Sequence, residues 1–307
     1  MNATETGRYS ITKEGTRNVH WYNFPNWYDF IETAQNGTTD VPDGVRLSNE
    51  ESLYGNSGWH GASVEETFKL AKTGWAEGTA LLRDQIKTFE NIMPSRRVRQ
   101  ETVMDITGPG VLDFGRWATG HPEAWMVQQD TEVTDSSDGN IIRMVFNVSA
   151  SSGVGTSEMM RKGATVVGLI DLLEQAGKRV ELDLVAGSRG EVRNSKHSIR
   201  VVVRVKESDA PVDIERLAFA MAHPATLRRL NFKIWEQAPV EARTACSIPT
   251  PSKLTAGGYG KPEDFEAIVD DKAIYIGASS LYKSYDEAGR VAWVKEELAK
   301  QGVVFED

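Results

Sequence analysis

A single cysteine, Cys246, stands in 307 residues, which excludes an internal disulfide framework and any zinc site built from several thiolates. Long apolar runs are missing too: none approaches the roughly 18 residues a membrane-spanning helix needs. The opening stretch MNATETGRYS lacks the apolar core of a signal peptide. The expected location is therefore the cytoplasm, and the sequons at Asn2, Asn36 and Asn147 count as chance matches. Positive charge is also short. The formal net charge of -9 disfavours a general nucleic-acid coat or a binder of anionic lipid. His60, His121, His197 and His223 are scattered, with no H-x-x-x-H pair, so a metalloprotease-type zinc helix is absent.

What is present is ordinary globular material. Apolar residues at 40% and charged residues at 26% suffice for a packed core. The first 60 residues concentrate the aromatics, among them Trp21, Tyr22, Phe24, Trp27, Tyr28, Phe30 and Trp59. Asn26 is placed to cap a short helix whose Trp27, Phe30 and Ile31 share one face. The cluster reads as an anchor on the main body or as a contact surface for a partner, with Trp21, Tyr22, Trp27 and Tyr28 its candidate residues. Ser63 followed by Glu66 forms a capping box that opens a second helix, and a third spans about Ala80 to Ile92. Arg96, Arg97 and Arg99 make the most basic run, the one place for a local nucleic-acid contact. Val111 to Trp117 reads as a short helix, and Asp135 to Gly139 as a boundary loop. The expected organisation is an aromatic-rich, mainly helical region over 1–135 and an α/β domain over 140–307.

From Ile141 the elements become regular. Ile141 to Phe146 is apolar on both faces, as a buried strand should be. A helix from Glu158 to Ala176 follows, closed by Gly177. Arg179 to Val185 and Ser198 to Val205 read as strands, Asp213 to Met221 and Ala225 to Trp235 as helices. Ile248 to Lys261 is a long Pro-rich loop. A strand over Lys272 to Ile276, a helix over Ser284 to Lys300 and a short strand over Val303 to Phe305 complete the chain. Such alternation predicts a mostly parallel sheet covered by helices on both faces.

Open α/β sheets bind ligands at the carboxyl ends of their strands, which points to the polar loop Asn147 to Ser157. Two chemistries fit it. The oxygens of Asn147, Ser149 and Ser151, at alternate positions, could converge weakly on a hard cation such as Mg²⁺. Alternatively, Ser152, Gly153, Gly155, Thr156 and Ser157 could offer amides and hydroxyls to an anion at the helix N-terminus, with Arg161 or Lys162 as counter-charge. Catalytic signatures are missing. No lysine follows Gly153 and Gly155 as a P-loop requires, Glu158 occupies the third glycine position of a dinucleotide fingerprint, and no G-x-S-x-G surrounds Ser149 or Ser151.

Asn147-Val-Ser149-Ala-Ser151, ending a strand and followed by a helix and a pair of strands, resembles the von Willebrand factor A domain and its metal-ion-dependent adhesion site. The resemblance spans about Ile141 to Asp307. It implies a von Willebrand A-like or Rossmann-like α/β fold used for protein contact. Asn147 replaces the aspartate of that motif, and Gly277-Ala-Ser-Ser stands where an Asp-Gly would complete it. The implied metal site is thus degenerate. Asn26-Trp27-Tyr28-Asp29-Phe30, Gly74-Trp75-Ala76-Glu77-Gly78 and Asp113-Phe114-Gly115-Arg116 make the whole chain similar to an uncharacterised group of bacteriophage-encoded proteins. Together these resemblances imply a non-enzymatic adaptor or assembly protein that contacts another protein or itself, in the host cytoplasm or the virion. The alternatives are an enzyme or sensor holding a phosphate-bearing ligand such as a nucleotide in the loop 147–157, and a structural virion component.

Overall fold

The computed structural model describes residues 8–49, 58–89, 98–132, 141–254, 258–264, 273–281 and 286–303. The boundary loop at Asp135 to Gly139, residues 304–305 of the expected last strand, and Arg96 and Arg97 lie outside these residues. Arg99 falls in a described strand.

The sheet is built around β6 (Ile141–Asn147), β7 (Arg179–Val192) and β8 (Ser195–Lys206), with β10 (Ile274–Ile276) beside β6. The chain leaves β6, crosses through helix α5 (Thr156–Gln175) and returns in parallel as β7. A two-residue turn at Arg193 and Asn194, both at positive φ, then folds β8 back antiparallel, as tight hairpins require. β10 joins the other side of β6 in parallel.

The N-terminal segment departs from expectation. β1 (Tyr9–Glu14) and β2 (Arg17–Phe24) form a hairpin, and β2 lies parallel to β8, giving the order β1-β2-β8-β7-β6-β10. Residues 9–24 thus belong to the sheet that the sequence assigned to a separate domain. The reason is burial: Tyr22 and Phe24 alternate toward the face that Val201 and Val203 present on β8. With three parallel and three antiparallel pairings, the last made on β7 by the two-residue strand β9 (Lys261–Pro262), the sheet is mixed, not mostly parallel.

One face of the sheet carries Met144, Phe146, Leu182, Leu184, Ile199, Val201 and Val203, all in one apolar cluster with the described helices. That cluster takes in α1 (Trp27–Asn36), α2 (Val64–Thr73), α3 (Ala76–Ile86), α6 (Ile214–Ala222), a π-helical turn over Thr226–Asn231, α7 (Phe232–Trp235), α8 (Val240–Ala245) and α9 (Glu287–Lys300). The opposite face has a small cluster of Val145 and Val185 among ion pairs, with Asp183 receiving both Arg143 and Arg204. Such a charged face offers a poor seat for the apolar stripe of a helix, and among the described residues the apolar cluster with the helices lies on the other face. β3 (Val98–Asp105), β4 (Val111–Leu112) and β5 (Trp125–Glu132) make a separate three-stranded sheet, with α4 (Phe114–Ala118) at its tip.

Local signals explain the helix ends. Asn26 Oδ1 accepts from Asp29 N at 2.9 Å and Ser63 Oγ from Glu66 N at 3.1 Å. Gly163, in the middle of α5, has no room for a side chain, because a Cβ there would meet Met221 O and Ala222 Cα of α6. The glycine weakens the helix by about 1 kcal/mol and permits the close helix approach.

Trp27 is 2% exposed and its indole donates to Ala71 O at 2.8 Å, whereas Tyr28 is 52% exposed. Trp27→Ala should therefore cost about 3–5 kcal/mol in urea unfolding, while Tyr28→Ala stays within about 1 kcal/mol.

Candidate functional site

β6 ends at Asn147, whose side chain is fully buried. Its amide donates to Glu263 O at 2.8 Å, to Tyr275 Oη at 3.0 Å and to Asp264 Oδ1 at 3.4 Å, and its Oδ1 accepts from Ser149 N. Ser149 Oγ accepts from Gly187 N at 2.7 Å and lies 3.2 Å from Gly187 O, as donor. Of the three oxygens considered for Mg²⁺, that of Asn147 is engaged by the Ser149 amide and that of Ser149 by Gly187 of β7, and Ser151 is exposed. The weak cation set does not assemble as a coordination site. Among the described residues no group of three or more His, Cys, Asp or Glu is placed to hold a metal.

The anion reading meets a different obstacle. The Gly155 amide, which opens α5, donates to Glu158 Oε2 at 2.9 Å. A carboxylate from the helix's own first turn occupies the place an anion would take. Ser152 O accepts from Trp59, and Gly153, Ser157 and Arg161 are exposed with Thr156 half-buried. Of that set, Ser152 lines the cavity above the strand ends.

Below the loop lies Lys162, the side chain that fixes it. Its ammonium is buried and donates to Asn147 O at 2.9 Å, Gly277 O at 2.6 Å and Ala278 O at 3.1 Å. Three N–H groups on three carbonyls pin the carboxyl ends of β6 and β10 together. Burial pushes the amine down to about 7, opposed by Asp264.

Above the strand ends is a cavity of about 460 Å³, within the range of small-ligand sites. Its floor is Ser149, Ala150 and Gly187, with Ser151 and Ser152 exposed at its rim. Its walls are aromatic: Trp59, Phe232, Trp235 and Tyr259, with Tyr259 stacked on Phe232 at 3.9 Å and 11°. Arg228 lies 4.3 Å over the Trp59 ring and donates to Trp59 O and Val154 O, both at 2.6 Å. It joins one wall to the loop. The indole N–H of Trp235 is buried without a hydrogen-bond partner among the described residues.

A polar network supports the walls. Glu236 is buried and takes Ser48 Oγ at 2.5 Å and the Tyr259 hydroxyl. Burial raises its carboxyl above the usual range. Tyr259 Oη also accepts from Leu47 N at 3.1 Å. Gly260 follows at φ +73, where a Cβ would meet Ser188 Oγ and Arg189 O. A side chain there would push residues 258–260 off β7. Beyond it β9 (Lys261–Pro262) pairs with Ser188 and Arg189, on the edge of β7 that β6 vacates after Asn147.

The other candidate residues scatter. Tyr22 and Trp27 are core, so they are not an interaction surface. Trp21 is half-buried with Arg200 4.9 Å over its ring, and exposed Tyr28 bonds Arg216 at 2.8 Å. Their spread follows from β2 and α1 each burying one face. His60, His197 and His223 are buried, and burial lowers all three. Sequence reading found the floor of the cavity but not its walls. A signal for them existed: Arg228 and Arg229 interrupt an apolar helix and are buried against carbonyl oxygens, an arrangement that holds loops in place.

This geometry defines a mixed α/β protein with an aromatic crevice at the carboxyl ends of its strands. Residues 6–304 match the family described as Domain of unknown function (DUF7192), and the chain belongs to that family. No curated protein and no solved structure gives a significant match.

Asn147→Asp, which restores the aspartate of the adhesion motif, would set a carboxylate against Glu263 O and Asp264. It should lower stability by about 1–3 kcal/mol in urea unfolding, with no recovery on adding millimolar Mg²⁺. Lys162 binds its proton less tightly folded, at about 7, than unfolded, at 10.5. Between those values the unfolded chain holds more protons, so stability rises with pH. Lys162→Met should remove that rise, measured as the wild-type minus variant difference in unfolding free energy from pH 6 to 10.

Proposed function

We propose that the protein is a non-catalytic binding module whose 460 Å³ crevice takes a flat, ring-containing group. The observation that carries this reading is the crevice itself. Four aromatic side chains stand around the polar loop that ends β6. Aromatic walls favour a planar ring through stacking. The described lining residues include no carboxylate, imidazole or thiol, so none of them is a ready general base at neutral pH. Ser149, the one hydroxyl at the foot of the strand, is held by Gly187 on both sides of its hydrogen-bonding capacity.

The proposed core is von Willebrand A-like. A parallel β6-α5-β7 unit, the β7-β8 hairpin and β10 on the far side of β6 support it. Lys162 then fills, from below, the space between strand ends where that family carries a cation.

A second reading, assembly with a partner protein or a second copy as in an adaptor or virion component, has its own observation. Ile106, Val111, Phe114 and Trp117 on the small sheet are all at least 60% exposed, and Phe114 and Trp117 pack edge to face at 6.1 Å. Grouped exposed apolar residues mark contact surfaces.

Tryptophan fluorescence during titration with aromatic heterocycles tests the first reading. Wild type should show saturable quenching, and Ser152→Trp, which fills the crevice from an exposed rim position, should lose it. Saturable quenching that persists in the variant, or none with any ring compound, would remove the reading. Light scattering after size exclusion tests the second: an oligomer that Trp117→Ser dissolves supports it, and a monomer at all concentrations with no captured partner counts against it.

A further inference from the structure

Arginines on the charged sheet face are matched to acids. Arg143 and Arg204 share Asp183, and Arg200 takes Glu14 and Glu263. At the end of β7 the pattern breaks. Arg189 and Lys261 sit directly opposite each other across β7 and β9, both exposed, and neither has an ion pair among the described residues. Like charges in that position repel. Arg17 reaches the same place from β2, donating to His197 O at 3.1 Å. All three line a groove of about 520 Å³ in which Glu191 is the one described carboxylate. In a chain of net charge -9, the described lining of this groove sets three cations against one carboxylate, with Glu14 close enough to Arg17 to feel its charge.

The groove adjoins the crevice. Gly258, Gly260 and Lys261 line both, so the glycine strand forced against β7 is the common wall. We propose that the groove is the oxyanion subsite for the ligand of the crevice. That makes the ligand a phosphorylated planar heterocycle, a nucleoside diphosphate or a close relative. A single carboxylate would leave cationic charge over, whereas a phosphate chain offers two or more negative charges and acceptors for both guanidinium groups. The site differs from the loop 147–157, where Glu158 already caps the helix. This inference rests on the crevice reading, because the ring must lie there for the phosphates to reach Arg189.

Isothermal titration with the four common nucleosides, their diphosphates and inorganic pyrophosphate tests it. The proteins are wild type, Ser152→Trp and the double variant Arg189→Gln/Lys261→Gln. For at least one base, the diphosphate should bind at least about tenfold more tightly than its nucleoside, the worth of one charge-assisted hydrogen bond. The double variant should lose that gain and keep the nucleoside affinity. Its melting temperature without ligand should equal or exceed wild type, since a repulsive pair is gone, which separates loss of the subsite from loss of the fold. Pyrophosphate should bind wild type and Ser152→Trp alike. A nucleoside that binds as well as its diphosphate overturns the subsite and leaves the crevice reading standing. Pyrophosphate binding with no nucleoside or diphosphate binding overturns the shared ligand together with the crevice reading. A diphosphate gain that survives in the double variant places the anion elsewhere and also overturns the proposal.

Discussion

The buried ammonium of Lys162 organises the carboxyl end of the sheet. Two parallel strands that are not joined by a turn have no local reason to finish at the same level, and their last carbonyls point into a space that water would otherwise fill. Lys162 reaches that space from α5 and gives one N–H each to Asn147 O, Gly277 O and Ala278 O. Burying a charge is costly unless its hydrogen bonds are satisfied, and here three acceptors meet three donors. With the strand ends fixed, Asn147 turns its amide toward Glu263 and Tyr275, Ser149 clasps Gly187, and the loop leaves in one direction. The floor of the crevice follows from these contacts.

The same anchor leaves the loop oxygens engaged. A cation site at this position needs free oxygens on the loop, and the oxygens of Asn147 and Ser149 are engaged by backbone groups. The protein places its positive charge on a side chain inside the fold. Above the loop, aromatic side chains form the walls. Arg228 and the Glu236 network hold those walls through backbone carbonyls and the Tyr259 hydroxyl, so distant segments at 47–48, 59, 228–236 and 259 meet in one place.

Much of the fold was legible because its signals are local. Asn26, Ser63, Asp213 and Gly177 end their helices where the sequence places them, and Ile141 to Phe146, apolar on both sides, is a central strand. The inner halves of β7 and β8 were read as strands, but their outer halves were missed because Arg189, Glu191 and Lys196 dilute the alternation. β1 and β2 were missed because the partner of β2 lies some 180 residues away in β8, and pairing of that kind leaves no spacing in the sequence. The loop at 147–157 was found by a rule about strand ends, but the contacts of its polar atoms were not legible. Whether an Asn or Ser oxygen is free depends on contacts to residues 187, 263 and 275, which no local pattern reveals. The aromatic count near the N-terminus was likewise correct in number and divided in use, with Trp27 in the core and Trp59 at the crevice.

The central claim is that the crevice above β6 and β7 is where this protein meets its ligand. Indole N–H resonances in a two-dimensional proton–nitrogen spectrum, followed while a nucleoside diphosphate is added, report on it directly. The account predicts that the signals of Trp59 and Trp235 move together with ligand concentration while those of Trp27 and Trp117 hold still. Shifts confined to Trp117 or Trp21, with Trp59 and Trp235 unmoved at saturation, would contradict it.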